Sequence, residues 1–193
     1  YGYGTMGLTP TNNKVDVSIS CWEWKMGESK AGKFSGAKCK ISKWIRIDSK
    51  SQPMQAKSAS NYSNAALARM EALNSGYDEA IMLNNDGNVA EGSAENIFVV
   101  KNGQVMTPNL GVELLPGVTR DLLIELFRDN NINVIETDVT EDDLLSSEEV
   151  WCTSSTNYCV PITEIDNKII GDGKVGDYSY RSYDLITKFI SAL

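Results

Sequence analysis

Residues 90–100 decide the fold, and they read Ala-Glu-Gly-Ser-Ala-Glu-Asn-Ile-Phe-Val-Val. Two carboxylates, Glu91 and Glu95, are separated by small residues, and a run of aromatic and β-branched residues typical of a strand follows them. Small residues beside a carboxylate favour close approach of the backbone to another group. Taken alone, however, the stretch predicts a hairpin with a solvated turn, in which neither acid has a chemical role.

Lys57 precedes Glu91 by 34 positions and is the only charged residue in 54–60. Small neighbours such as Ala56 and Ser58 let a bulky group reach its amine. A lysine that can form a Schiff base, with a carboxylate that keeps a pyridine nitrogen protonated, is what pyridoxal 5'-phosphate (PLP) chemistry requires. Tyr62 is either a hydrogen-bond donor to the phenolic oxygen of such a cofactor or a helix residue facing the core.

Two further segments have the composition of anion sites. Pro116 and Gly117 lead into a helix whose free N–H groups and positive dipole end suit a phosphate, and Thr119 adds a hydroxyl. Residues 153–157, Thr-Ser-Ser-Thr-Asn, follow an apolar strand and offer several hydroxyls. The first segment is equally an ordinary helix cap and the second equally a plain loop, so neither identifies a ligand by itself.

Composition narrows the class of protein. The 193 residues are 41% hydrophobic and 23% charged, which suits one sizeable globular domain. A net charge of −8 disfavours nucleic acid as a partner. The sequence has no membrane-length apolar run and no signal peptide, and its four cysteines suggest reduced core thiols in a cytoplasmic protein. Without histidine, Ser-His-Asp catalysis is excluded and a metal site is discounted.

Periodicity and turn signals predict a mixture of strands, hairpins and helices. The predicted strands are 15–24, 38–47, 79–83, 89–91, 96–101, 104–107, 133–135, 149–153, 160–165 and 168–170. The predicted helices are 61–74, 118–129, 140–145 and 178–192. In the strand 38–47, Lys43 and Trp44 break the alternation, and Arg46 is predicted on its polar side. This order of elements is not that of a doubly wound parallel sheet.

The segments combine into a pattern of known type, which begins Glu91-Gly-Ser93-Ala-Glu-Asn96-Ile97-Phe98 and continues as Val105-Met-Thr107 and Leu115-Pro-Gly117-Val118-Thr-Arg120. With this pattern, nearly the whole chain closely resembles the class IV (fold type IV) PLP-dependent aminotransferases. The Ala-Lys-x-x-x-Asn-Tyr run around Lys57 and the run Gly4-Thr-Met6-Gly7 resemble the branched-chain amino acid aminotransferases among them.

The resemblance implies an α/β fold: a large domain like that of D-amino acid aminotransferase, with a mixed-strand pseudo-barrel and flanking helices. It implies that residues 1–14 are a remnant of an interdomain linker and that 15–193 are the PLP-binding large domain. The small N-terminal domain, with the arginine expected to pair with the phosphate, would be missing. The segment 25–37 departs from the family pattern, which puts the role of that loop in doubt.

The implied activity is transfer of an amino group from Leu, Ile or Val to 2-oxoglutarate, within branched-chain amino acid biosynthesis, by a cytoplasmic homodimer or higher homo-oligomer. In it Lys57 is the Schiff-base lysine and proton carrier, Glu91 pairs with the pyridine nitrogen, and Tyr62 contacts the phenolic oxygen. Three alternatives stay open: a D-amino acid aminotransferase, an aminodeoxychorismate lyase, and a catalytically inactive fragment.

The resemblance also assigns the anion-binding residues. Val118 and Thr119 would bind the PLP phosphate through backbone N–H groups at the helix start. Ser155 would touch that phosphate, and the N–H groups of Ser155 and Thr156 would meet the substrate carboxylate. Glu95, by contrast, is predicted to be structural.

Overall fold

A computed structural model describes residues 8–9, 11–23, 35–111 and 113–193. In these ranges the strands are β1 (Ala37–Ile41), β2 (Glu79–Leu83), β3 (Val89–Gly92), β4 (Asn96–Lys101), β5 (Gln104–Pro108), β6 (Val134–Thr137), β7 (Glu149–Thr153), β8 (Val160–Ile165) and β9 (Lys168–Ile169). The helices are α1 (Tyr62–Asn74), α2 (Val118–Asp129), α3 (Glu141–Leu145) and α4 (Asp177–Ser191). Within these residues, no helix is long and apolar enough to cross a membrane.

The strands form one mixed sheet in the order β3-β2-β1-β8-β7-β4-β5-β6, with β9 paired to β8. The β1–β2, β1–β8 and β5–β6 pairs are parallel, and the others are antiparallel. The ends of the sheet approach each other, because Val89 N donates to Val139 O at 2.7 Å and Asn88 bridges Thr140. The sheet therefore curls into a half-closed barrel, which confirms the predicted pseudo-barrel.

Residues 90–100 do not form the hairpin expected of them in isolation. β3 pairs with β2, placing Glu91 opposite Met82, whereas β4 lies between β5 and β7. Gly92 N donates to Glu95 O at 2.7 Å and closes a tight corner between the two strands. Because the sheet is curled, β3 and β4 come close enough for a three-residue connection. Glu91 and Glu95 consequently lie at this corner and not in a solvated turn.

β4 buries both of its faces, as its uninterrupted apolar sequence requires. Ile97 and Val99 belong to the core cluster that includes the buried residues of β1 and β8. Phe98 belongs to a second cluster beneath α2 and α4, where its ring stacks on Trp151 with centroids 5.3 Å apart. Packing on both sides keeps β4 in register and therefore keeps the corner before it in place.

The helix α1 packs through its small residues. Ala65, Ala68 and Ala72 are buried against β2, while the larger Leu67 and Met70 stay about half exposed. Alanine side chains let the helix backbone lie close to the sheet. The start of α1 is thereby held beside β2 and β3, where Glu91 lies.

Two strand predictions need correction. Residues 15–23 have no strand partner in the described part of the chain and are largely exposed, with Ile19 at 90%. An alternating pattern gives a strand only where a neighbour supplies the ladder of hydrogen bonds. Trp24, residues 25–34 of the unusual loop and residues 1–7 lie outside the described residues.

The second correction concerns the predicted strand 38–47, which ends as β1 at Ile41. Ser42 N donates to Ile81 O and Arg46 N donates to Leu83 O, both at 2.8 Å. Four residues on this segment therefore span two on β2, which is a bulge with two extra residues. Bulges change where the following side chains point. Arg46, predicted on the polar side, is buried with only 6% of its surface exposed.

The predicted capping box at the start of α3 is confirmed. Asp143 N donates to Thr140 Oγ1 at 3.0 Å, and Thr140 N donates to Asp143 Oδ2 at 3.1 Å. Lys101 Nζ also donates to Asp143 Oδ1 at 2.6 Å and so ties α3 to the end of β4. The hydrogen bonds from Lys101 and Thr140 lower the pKa of the Asp143 carboxyl to about 2.

We expect Asp143→Asn to lower the free energy of unfolding by about 0.5–1 kcal/mol at neutral pH, as for a partly exposed ion pair and cap. Because the folded pKa is depressed, this contribution is complete above the unfolded value of about 4 and is lost as pH falls toward 2. Urea titrations at several pH values measure it. The exposed control Asp129→Asn should leave the profile unchanged, and a deficit that persisted at pH 2 would contradict the assignment.

Candidate active site

Two adjoining cavities form one cleft at the corner between β3 and β4. The first has a volume of about 390 Å³ and the second, which is more open, about 810 Å³. Their common wall is made by Lys57, Ala94, Asn96 and Leu115. A single elongated ligand can therefore extend from one cavity into the other, past the lysine.

Glu91 lies in the wall of the first cavity and is only 4% exposed. Its Oε1 lies 2.6 Å from Arg46 Nε, and its Oε2 accepts a hydrogen bond from Leu115 N at 3.0 Å. Burial raises the pKa of the Glu91 carboxyl, while the Arg46 guanidinium, the Leu115 N–H and Lys57 act in the opposite direction. The buried carboxylate thus has two fixed partners that favour its charged form.

Lys57 lies in the turn between the bulged segment and α1, and it is exposed to the cleft that both cavities share. Ala56 N donates to Pro53 O at 3.1 Å and Ser58 N donates to Ala56 O at 2.7 Å, so a compact turn presents the lysine. No acidic side chain is paired with Lys57 in the described residues. Its amine is therefore accessible to a ligand in either cavity.

Tyr62 is the first residue of α1 and is 39% exposed in the wall of the first cavity. Of the two interpretations left open by the sequence, the core-facing one is wrong. The residue shares its cavity with Lys57 and Glu91, in reach of the same ligand.

The second cavity contains the start of α2. Gly117 is the N-cap and provides no side-chain cap, so the first N–H groups of the helix stay available for a ligand. Thr119 Oγ1 lies 3.2 Å from Ser155 Oγ, which brings the two predicted anion segments together. Val118, Thr119 and Ser155 all line this cavity. A helix N-terminus with two adjacent hydroxyls is suited to a phosphate.

Asn96 fixes the loop that enters α2. Its Nδ2 donates to Leu115 O at 2.9 Å, while Leu115 N is bound by Glu91. Gly117 packs directly against the Asn96 side chain, so that a Cβ on residue 117 would overlap Asn96 Oδ1. The loop is therefore held from both β3 and β4, and it joins the carboxylate end of the cleft to the helix start.

We expect Gly117→Ala to weaken binding of inorganic phosphate or PLP by about tenfold or more, because the added methyl displaces Asn96 and the loop it holds. Isothermal titration of each anion measures the change, with urea unfolding as a check on stability. Ile135→Ala, an exposed change on β6 outside both cavities, is the control. Equal affinities for Gly117→Ala and the unmodified chain would contradict this role for the loop.

The structure brings together most of the residues that the sequence proposed. Those lining the cleft are Lys57, Tyr62, Glu91, Val118, Thr119 and Ser155. Thr156 is exposed and lines neither cavity. Glu95 Oε1 accepts from Asn157 Nδ2 at 3.0 Å and so anchors the loop 153–157 to the corner, as expected for a structural residue.

Sequence reasoning missed three polar residues in the wall of the first cavity: Arg46, Asn61 and Ser93. Each is at least nine-tenths buried. Arg46 was assigned to the exposed face of a strand, and Asn61 only marked the start of a helix. The one available signal for Arg46 was the broken alternation just before it.

The donor set fits PLP. The first cavity offers a buried carboxylate for a pyridine nitrogen and a tyrosine hydroxyl for the phenolic oxygen. The second offers a helix N-terminus and hydroxyls for the phosphate. The amine of Lys57 lies where the two cavities meet, as the aldehyde of such a ligand requires.

Residues 2–165 match the family model described as amino-transferase class IV, so the chain belongs to the class IV aminotransferases. The relatives it resembles carry a more particular name. A probable branched-chain-amino-acid aminotransferase of Aquifex aeolicus (strain VF5) is 44% identical over 170 residues, 88% of this chain and 54% of that protein. The branched-chain-amino-acid aminotransferase of Pseudomonas aeruginosa is 35% identical over 176 residues, 91% of this chain and 57% of that protein.

Solved structures agree with this placement. The crystal structure of the branched-chain amino acid aminotransferase from the source abbreviated T.th., with pyridoxamine 5'-phosphate, matches with a TM-score of 0.80 at 35% identity. The match covers 86% of this chain and 54% of that one. The chain spans about half the length of the curated relatives that it matches.

Proposed function

We propose that this chain is the PLP-binding large domain of a branched-chain amino acid aminotransferase. One observation carries the proposal: a single cleft contains an accessible lysine between a buried carboxylate and a helix N-terminus with hydroxyls. The names of the relatives, and the pyridoxamine 5'-phosphate in one of the solved structures, support the cofactor and the substrate class. Within the chain we propose that 1–14 are a linker remnant and 15–193 the large domain.

The residues of the cleft have separate tasks. When bound, PLP supplies an electron-accepting ring that makes the α-proton of an amino acid easier to remove. Lys57 bonds the cofactor through Nζ and, once released by the substrate amine, accepts the α-proton at the same atom. The Glu91 carboxylate keeps the proton on the pyridine nitrogen, because a negative charge beside that nitrogen favours its protonated form. Tyr62 donates its hydroxyl proton to the phenolic oxygen.

The other end of the cleft anchors the ligand. The N–H groups of Val118 and Thr119 and the hydroxyl of Ser155 bind the phosphate, while N–H groups of Ser155 and Thr156 receive the substrate carboxylate. A cofactor fixed at its phosphate and at its ring nitrogen keeps its aldehyde carbon within reach of Lys57. Such positioning supplies a large part of the rate in reactions of this kind.

A substrate panel tests the proposed activity. With 2-oxoglutarate as acceptor, we expect amino-group transfer from L-leucine, L-isoleucine and L-valine and none from D-alanine. Preference for D-alanine would instead indicate a D-amino acid aminotransferase, and cleavage of aminodeoxychorismate would indicate a lyase. PLP titration into these 193 residues, with and without an added N-terminal domain, decides whether they are an inactive fragment on their own.

Two wider properties belong to the same proposal. A homodimer or larger homo-oligomer is expected from the family resemblance, and sedimentation velocity measures it. A reducing, cytoplasmic setting is supported by the free thiols of Cys39, Cys152 and Cys159, which are buried in the core.

A further inference from the structure

We propose that Arg46 is a positioning residue that holds the two halves of the cleft together, with Glu91 on one side and the turn that carries Lys57 on the other. This inference rests on the proposed function, since it assigns Arg46 a task in preparing the site for PLP. Its physical basis is a chain of buried polar contacts that begins at Glu91 and ends one residue before Lys57.

The first contact is a buried ion pair. The side chains of Arg46 and Glu91 are 7% and 5% exposed, and Arg46 Nε lies 2.6 Å from Glu91 Oε1. An isolated carboxylate at this depth would take up a proton, because burial disfavours its charged form. The adjacent guanidinium favours the charged form and, being ionised at every relevant pH, does so without titrating itself.

The pair leaves Glu91 with unused capacity that faces the cavity. A carboxylate has about four lone-pair sites. Arg46 occupies one on Oε1 and Leu115 N–H occupies one on Oε2, so the carboxylate is fixed at both oxygens and can still accept a hydrogen bond from a ligand. The other titratable side chains in this cavity wall are Lys57, Tyr62 and Glu95.

The second contact leads to the lysine turn. Arg46 Nη1 donates to Asn61 O at 3.5 Å. The buried Asn61 side chain then donates from Nδ2 to Pro53 O at 3.3 Å and to Ala56 O at 3.1 Å. Those two carbonyls bound the turn that precedes Lys57. One guanidinium therefore connects Glu91 with the backbone that presents the amine.

The two ends need this connection because they arise from distant parts of the chain. Glu91 is on β3, while Lys57 lies in irregular backbone between β1 and α1. The bulge at 42–46 delivers a side chain long enough to reach both. A planar, multi-donor group suits two acceptors in different directions better than a lysine ammonium does.

The test compares three variants with a matched control. Arg46→Met and Arg46→Gln remove the charge, and Arg46→Lys retains it. The control Arg69→Met breaks another ion pair to a buried carboxylate, Glu79, which lies outside both cavities. Circular dichroism and urea unfolding establish that each variant is folded.

Two readouts need no cofactor. Carbon-13 NMR of the glutamate carboxyls, with the Glu91 signal assigned through Glu91→Gln, follows the ionisation of Glu91. We expect its midpoint to rise by about one to three pH units in the neutral variants and by much less in Arg46→Lys. Hydrogen–deuterium exchange should become faster at residues 53–58 in all three variants. Arg69→Met should change neither measurement.

A third readout uses the PLP-loaded enzyme. All three Arg46 variants should shift the pH dependence of its visible band and lower kcat by about tenfold or more, with a smaller change in KM. Folded neutral variants with an unchanged Glu91 midpoint and unchanged exchange at 53–58 would overturn the proposal. If only Arg46→Lys folds, unchanged exchange and an unchanged visible band in that variant would overturn it instead.

These outcomes are separable from those of the proposed function. The NMR and exchange experiments report on Arg46 even if the chain binds no PLP. Conversely, a chain that binds PLP through a residue other than Lys57 would contradict the proposed function while leaving the Arg46–Glu91 pair intact.

Discussion

Lys57→Ala is expected to abolish the visible absorption band that appears when PLP bonds to a lysine amine, and to reduce amino-group transfer by roughly 10²–10⁴-fold or more, the contribution of one positioned acid–base group. The reason is structural. Lys57 lies where the carboxylate cavity and the helix N-terminal cavity meet, so another lysine would have to displace the turn 53–58 to reach the same point.

Lys50→Ala is the matched control, because Lys50 is an exposed lysine of the same connection between β1 and α1. It should keep the band and the activity. Borohydride reduction followed by peptide mapping gives an independent result, since the cofactor should be recovered on the peptide that contains residue 57. A persistent band in Lys57→Ala would remove Lys57 from the mechanism.

Glu91→Gln should lower the rate of amino-group transfer by roughly 10²–10³-fold, the range found when one preorganised electrostatic partner is removed. The visible band should persist, because the covalent link and the phosphate contacts do not depend on Glu91. Glutamine keeps the size of the side chain and can still accept from Leu115 N. It loses the charge that protonates a pyridine nitrogen, so the loss should fall on kcat and on the proton-transfer step.

Glu91→Gln also leaves Arg46 without its counter-ion, and breaking a buried pair in this way costs about 3–5 kcal/mol of stability. Glu79→Gln controls for this effect, because Glu79 is a similarly buried, arginine-paired carboxylate outside both cavities. It should lower stability without a comparable loss of rate. If both variants lost activity in proportion to stability, the proposed role of Glu91 would be refuted.

Local sequence predicted most of the fold. β2, β4, β7, β8 and α2 have the bounds expected from it, and the capping box of α3 has the expected hydrogen bonds. These elements have strong local signals: uninterrupted β-branched runs, helical spacing and specific turn residues. The failures were at 15–24 and 42–47, where a pattern of alternating residues lacks the partner or the regular register that a strand needs.

The strand 38–47 contained a usable warning. Lys43 lay on its apolar side and Trp44 on its polar side, and both are exposed residues of the bulge. Regular alternation therefore ends where the irregularity begins, and positions beyond it cannot be assigned to a face by counting. Arg46 was missed for this reason alone.

By itself, the sequence determined the order of the elements, the family pattern and the separate candidates Lys57, Glu91 and Thr119, because each depends on residues close together in the chain. Only the tertiary structure decided that Glu91 lies at the corner of a curled sheet, that the start of α2 meets the loop 153–157, and that Arg46 lies beside Glu91. Those contacts depend on how the sheet closes and on a bulge with two extra residues. Such long-range packing is set by the whole fold and leaves little trace in local spacing.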